Sequence, residues 1–154
     1  MNKDVQLLRI EQVQHRLDAY SPLASLPRPL QGWLKTVRSA LGRTERQQAA
    51  LVGMSGPALH KSEQSEADDR ISLGQLRKLA DGLDCELVYA LVPRRPLAEA
   101  VLERAHAIAM EEVHGVANSM GLEGQPPSAR LIERQVKHRV DELLRGRWAA
   151  LWRA

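Results

Sequence analysis

A chain of 154 residues can bury one core with helical extensions, which excludes two large domains. With 44% hydrophobic and 27% charged residues the composition is globular rather than disordered, and no apolar run reaches the roughly 20 residues of a membrane span. The net charge of +3 is unevenly spread: six basic residues against two acidic ones over 28–63, three against six over 64–92, and seven against three over 125–154, so one face is expected to turn toward phosphates.

The first residues, MNKDVQLLRIEQVQHRL, scatter charge through the apolar positions, which argues against a signal peptide. The single cysteine, Cys85, can form neither an internal disulfide nor a cysteine-based zinc site, as expected of a cytoplasmic protein. Val5, Leu8, Val13 and Leu17 predict an N-terminal helix between Asn2 and Ala19, followed by an extended linker forced by Pro22, Pro27 and Pro29. Residues 1–27 are therefore expected as helix plus linker.

Trp33, Leu34, Val37 and Leu41 mark a second helix, closed by Gly42. Thr44 can cap a third helix that stops at Gly53, Ser55 a fourth with Pro57 in its first turn, and Ser72 a fifth whose apolar face is Leu73, Leu76, Leu79, Ala80 and Leu83. These place a helical domain over 28–84. Residues 85–93 are β-branched and end at Pro93, which predicts one short β-strand; lacking a partner in the chain, it is expected to pair across a homodimer. From 97 to 154, strong helix formers run to Gly121 or Gly124 as one long helix or two stacked ones. Ser128 then caps an amphipathic helix carrying Leu131, Ile132, Val136, Val140, Leu143 and Leu144.

The stretch TERQQAALVGMSGPALHKSE, Thr44 to Glu63, has the parts of a helix-turn-helix. Ala49 is small where the helices cross, Gly53 suits a left-handed turn, Ser55 starts the second helix, and Met54 and Leu59 can bury the pair. With Glu63, these residues stand at the characteristic positions of the Cro/repressor class, which the chain resembles from Trp33 to about Leu83. Gln48 and Ser62 stand where that class usually has apolar residues, which predicts looser or rearranged packing beneath the second helix. Gly56 and Pro57 replace early base-reading side chains. Base readout then falls to His60 and Lys61, with Ala58 against a thymine methyl, while Arg43, Arg46 and Gln47 beside Thr44 approach phosphates of a double-stranded DNA operator. The expected fold class is mainly α: a Cro/repressor-like bundle with one short strand and added N- and C-terminal helices.

LPRPLQGWLKTVRSALG together with EQSEADDRISLGQLRKLADGLDCELVYALVP closely resembles the family called mobile mystery protein A, over a span from Leu26 through at least Met120. That resemblance implies an antitoxin and autoregulator whose partner is a Fic-domain protein that transfers AMP. Ser119-Met120-Gly121-Leu122-Glu123-Gly124 is similar to the inhibitory pattern of Fic antitoxins. One helical turn separates Ser119 from Glu123, and Gly124 ends the helix so that the carboxylate sits at its tip. By the resemblance, Glu123 would pair with the toxin arginine that otherwise holds the ATP γ-phosphate. The other function open at this point is a transcription regulator whose C-terminal helices serve only dimerisation or another partner.

No enzyme, cofactor or metal site is expected. There is no phosphate-binding glycine loop or nucleophile elbow, and with no phenylalanine in the chain there is no histidine-proline-phenylalanine core of a Fic enzyme. Glu111 with His114, and His138 with Glu142, have metal-ligand spacing but no matching second set.

Overall fold

A computed structural model describes residues 2–153. They form seven α-helices and no strand: α1 (Lys3–Asp18), α2 (Trp33–Ala40), α3 (Glu45–Leu51), α4 (Gly56–Ala67), α5 (Leu73–Asp81), α6 (Leu97–Leu122) and α7 (Ala129–Arg145). Short 3-10 helices cover Ser21–Ser25 and Trp148–Trp152. No helix among the described residues is long and apolar enough to cross a membrane. The chain divides into two compact units, residues 23–90, and residues 1–22 with 91–154.

In the 23–90 unit, four helices start where a short polar residue satisfies free N–H groups or a carboxylate does so from a distance. Thr44 caps α3 in a reciprocal capping box with Gln47; Ser55 accepts from the Ala58 amide and Ser72 from the Gln75 amide. Helix α2 has Gly32 at its N-cap and no side-chain cap of its own; the Glu66 carboxylate of α4 accepts from the Trp33 and Leu34 amides at 2.7 and 2.8 Å instead. Leu34, Ala49, Leu59, Leu79 and Leu83 form the core, flanked by Val37, Val52, Met54, Ile71 and Leu76.

In the other unit α1, α6 and α7 pack together. Ala105 and Ala109 are fully buried on α6, and these small side chains let α7 approach with Val136, Val140 and Leu144. Pro96 offers no side-chain cap for α6, and Gln14 of α1 accepts from the Leu97 amide at 3.0 Å. Leu151 of the C-terminal 3-10 helix closes the core, its carbonyl accepting from Arg104 Nε at 2.6 Å.

Four expectations change. The one core expected from length is two, one in each unit. Residues 85–93 form no strand, because no other described residue is in strand conformation to complete a ladder; Val88, Tyr89 and Leu91 are left exposed. The linker is not extended throughout, since Pro22, with its fixed φ and missing N–H, enters the 3-10 helix Ser21–Ser25. On α1 the inner face is Lys3, Leu7, Ile10, Gln14 and Leu17, with Ile10 against the core, whereas Val5, Leu8 and Val13 are exposed. The inner set follows the i, i+4, i+7, i+11, i+14 rhythm of one helical face; Val5, Leu8 and Val13 do not.

Candidate nucleic-acid interface

Helices α3 and α4 pack against each other through a four-residue turn. Gly53 sits there at φ +68°, and the Met54 amide donates back to the Ala49 carbonyl at 2.9 Å. The Gly53 amide donates to Ala50 in the same motif, which closes α3 and redirects the chain into α4. Ala49 is buried at the crossing. Ser55 caps α4, Gly56 and Pro57 fill its first turn, and the core side is Leu59, Glu63 and Glu66.

Helical geometry then sets the opposite face. Pro57, Lys61 and Gln64, at i, i+4 and i+7, are all exposed and lie away from that core side. Lys61 makes no ion pair among the described residues. Ala58 is half-buried at the edge of this face. His60 is exposed but engaged: its Nδ1 lies 2.8 Å from Glu45 Oε1 of α3, and this hydrogen bond holds the Glu45 carboxyl below its ordinary value. On α3, Arg46 and Gln47 are exposed, and Gln47 is also committed to the Thr44 capping box.

Arg43 turns inward, contrary to the expectation of a phosphate contact. Its guanidinium donates to Gln48 Oε1 at 3.0 Å and to the Gly82 carbonyl at 3.4 Å. Gln48, only 2% exposed, donates in turn to Gly82 O at 2.8 Å, so of the looser or rearranged packing expected here the second holds, with the Gln48 amide satisfied at both ends. Ser62 likewise returns its hydroxyl to the Ala58 carbonyl at 3.1 Å.

Arg38 is likewise not a surface cation. It is 7% exposed and grips Glu63, 3% exposed, with Nε to Oε1 at 2.6 Å and Nη2 to Oε2 at 3.0 Å. Its Nη1 donates to the Arg43 carbonyl at 2.8 Å, tying α2, the α2–α3 turn and α4 together. The hydrogen bond to Glu63 is the main reason the Arg38 pKa is raised. Arg28 pairs with Asp69. Of the six cations between 28 and 63, Lys35, Arg46 and Lys61 therefore remain without an ion pair or internal hydrogen bond among the described residues.

Gln64, not among the residues expected at the interface, lines a small groove beside α4 with Gln31, Lys35 and His60. Its seven-residue spacing from Pro57 was the available signal.

Ser119, Glu123 and Gly124 lie in the other unit. All three are exposed at the end of α6, where Glu123 is the C-cap and Gly124 has φ +79°. The Ser119 hydroxyl bonds back to the Gly115 carbonyl at 3.2 Å, and Glu123 makes no ion pair among the described residues. No group of His, Cys, Asp and Glu able to hold a metal ion occurs among the described residues. Comparisons of the chain with protein-family models, curated proteins and solved structures return no match.

Proposed function

We propose that this chain binds double-stranded DNA with the α3–α4 pair as a helix-turn-helix and represses its own operon, and that its other unit is the antitoxin of a Fic-domain partner. The observation that carries the DNA reading is the outer face of α4. Lys61 stands unpaired on it, opposite a core side locked by Leu59 and Glu63. A helix held by its back and capped at Ser55 presents that ridge to a major groove, where a lysine can donate to guanine O6 and N7. Arg46 and Gln47 on α3 approach the flanking phosphates, while Arg43 fixes the helix pair. The exposed segment 85–93 is the proposed pairing edge for a second copy, which makes the DNA-bound species a homodimer.

The inhibitory role rests on the pattern Ser119, Glu123, Gly124 and on its exposure at a helix end. A carboxylate there can take a partner arginine in a bidentate pair and withhold it from a nucleotide phosphate. No catalytic role, metal or cofactor is assigned to the chain.

Two assays test these roles. Duplex from upstream of the reading frame, challenged with unrelated duplex, should be retained by the protein; equal competition by both would reject operator binding. Co-expression with the adjacent reading frame and an AMP-transfer assay should show a Fic-domain activity silenced by this chain. A regulator that binds its operator but leaves such activity untouched would restrict the C-terminal helices to dimerisation or another partner.

A further inference from the structure

Arg130, Arg134, Lys137, Asp141 and Arg145 recur along α7 at i, i+4, i+7, i+11 and i+15, the repeat of a single helical stripe. All but the half-buried Asp141 are exposed. The inner side of α7 is Val136, Val140 and Leu144; Arg130, Arg134 and Arg145 lie away from it, while Lys137 and Asp141 border the cleft that α7 forms with Lys3 of α1 and Met110 of α6.

Pairing within the unit makes the stripe more basic than its sequence. Lys3 of α1 reaches Asp141 at 3.4 Å, and Arg139 binds Glu142 at 3.1 Å and Glu112 at 2.5 Å. Two of the three acids on α7 are thereby neutralised, leaving Glu133 at the stripe's border. Arg130, Arg134, Lys137 and Arg145 make no ion pair or side-chain hydrogen bond among the described residues. Four cations without an ion pair, spread over sixteen residues, span about 22 Å, a length along which B-form duplex presents on the order of a dozen phosphates.

We propose that this face of α7 is a second, sequence-independent contact for the phosphates of duplex DNA. The inference rests on the DNA-binding reading of α3 and α4. That reading also explains the need for it, because α2, α3 and α4 retain only Lys35, Arg46 and Lys61 as unpaired cations. Phosphate contacts dominate affinity, and each neutralised phosphate contributes about 0.9 to the slope of log affinity against log salt. DNA is the better occupant than an anionic bilayer because the stripe carries no large apolar side chain to enter a membrane interface.

The test is the salt dependence of operator binding by the full chain, for wild type and for R130Q/R134Q/K137Q/R145Q. The expected result is a slope shallower by about 3 to 4, hence about 100-fold less affinity lost between 50 and 200 mM salt, with the preference for operator over scrambled duplex unchanged. The pairs R130Q/R134Q and K137Q/R145Q should each account for about half, which keeps the test decisive if the fourfold variant folds poorly. R130K/R134K/R145K, which keeps the charge, should keep the slope. An unchanged slope with operator selectivity intact overturns the α7 contact alone; wild type that binds no duplex overturns the helix-turn-helix reading with it. Loss of binding to phosphatidylserine vesicles by the fourfold variant, with an unchanged DNA slope, would assign the stripe to a lipid surface and overturn the proposal.

Discussion

Arg38 of α2 and Glu63 of α4 form a buried bidentate ion pair, with nitrogen–oxygen distances of 2.6 and 3.0 Å. Glu63 is on the core side of the helix whose opposite face carries Lys61. The orientation of that face therefore depends on this pair: without Arg38 the buried Glu63 carboxylate loses its partner, and without Glu63 the guanidinium keeps, among the described residues, only the Arg43 carbonyl and Glu45 Oε1 at 3.8 Å. Removing one partner, as in Glu63→Ala, should destabilise the 23–90 unit by about 3–5 kcal/mol. Arg38→Met combined with Glu63→Leu should cost much less, because no uncompensated buried charge remains. Urea denaturation of the two variants checks the contrast; equal losses would contradict it.

Gly32 has φ +80°, and a Cβ built there would stand 2.7 Å from Glu66 Oε2, the carboxylate that caps α2. Gly32→Ala combines left-handed strain with displacement of the cap and should cost about 1–3 kcal/mol. Glu66→Ala, which removes the cap alone, should cost about 1–2 kcal/mol. Thermal midpoints of the two variants measure both, and an unshifted Gly32→Ala would show that Glu66 can move aside.

The Glu112 carboxyl lies below its ordinary 4.5, first because Arg139 hydrogen-bonds it and then through the attraction of the two charges, with burial opposing. A carboxyl depressed on folding adds stability above its unfolded pKa and loses that contribution as pH falls through the lower folded value. The loss begins as pH drops below about 4.5 and is complete below the folded pKa. Glu112→Gln should therefore be less stable than wild type at neutral pH and converge with it in acid. Denaturant midpoints across the acid range test this, and a constant gap at every pH would contradict it.

On the proposed antitoxin role, Glu123→Gly should release AMP transfer by the proposed Fic-domain partner while leaving the complex intact, since the change removes one exposed carboxylate at the end of α6. Co-purification paired with a transfer assay reads both outcomes. Full inhibition by the variant would contradict the role given to Glu123.

The helices were legible where their causes are local. Thr44, Ser55, Ser72 and Ser128 each cap the helix expected of them, and Gly42, Gly53 and Gly124 each follow a helix end at positive φ. Long-range partners were not legible. Arg38 and Arg43 count as surface charge in the sequence, yet Arg38 is consumed by a glutamate 25 residues away and Arg43 bridges to the Gly82 carbonyl 39 residues away. Segment 85–93 has strand composition, but a strand needs a ladder and composition alone does not supply one. Of the candidate interface, Ser55 caps α4, Lys61 is exposed on its outer face, His60 is shared with Glu45, and Gln64 joins the exposed face.

The most direct measurement is selection of duplexes from a randomised pool by wild type and by Lys61→Ala. Wild type should enrich a motif containing guanine, and Lys61→Ala should lose discrimination at that base by about 1–3 kcal/mol while still retaining DNA at low salt. Enrichment of the same motif to the same degree by both proteins would show that the outer face of α4 does not read the duplex.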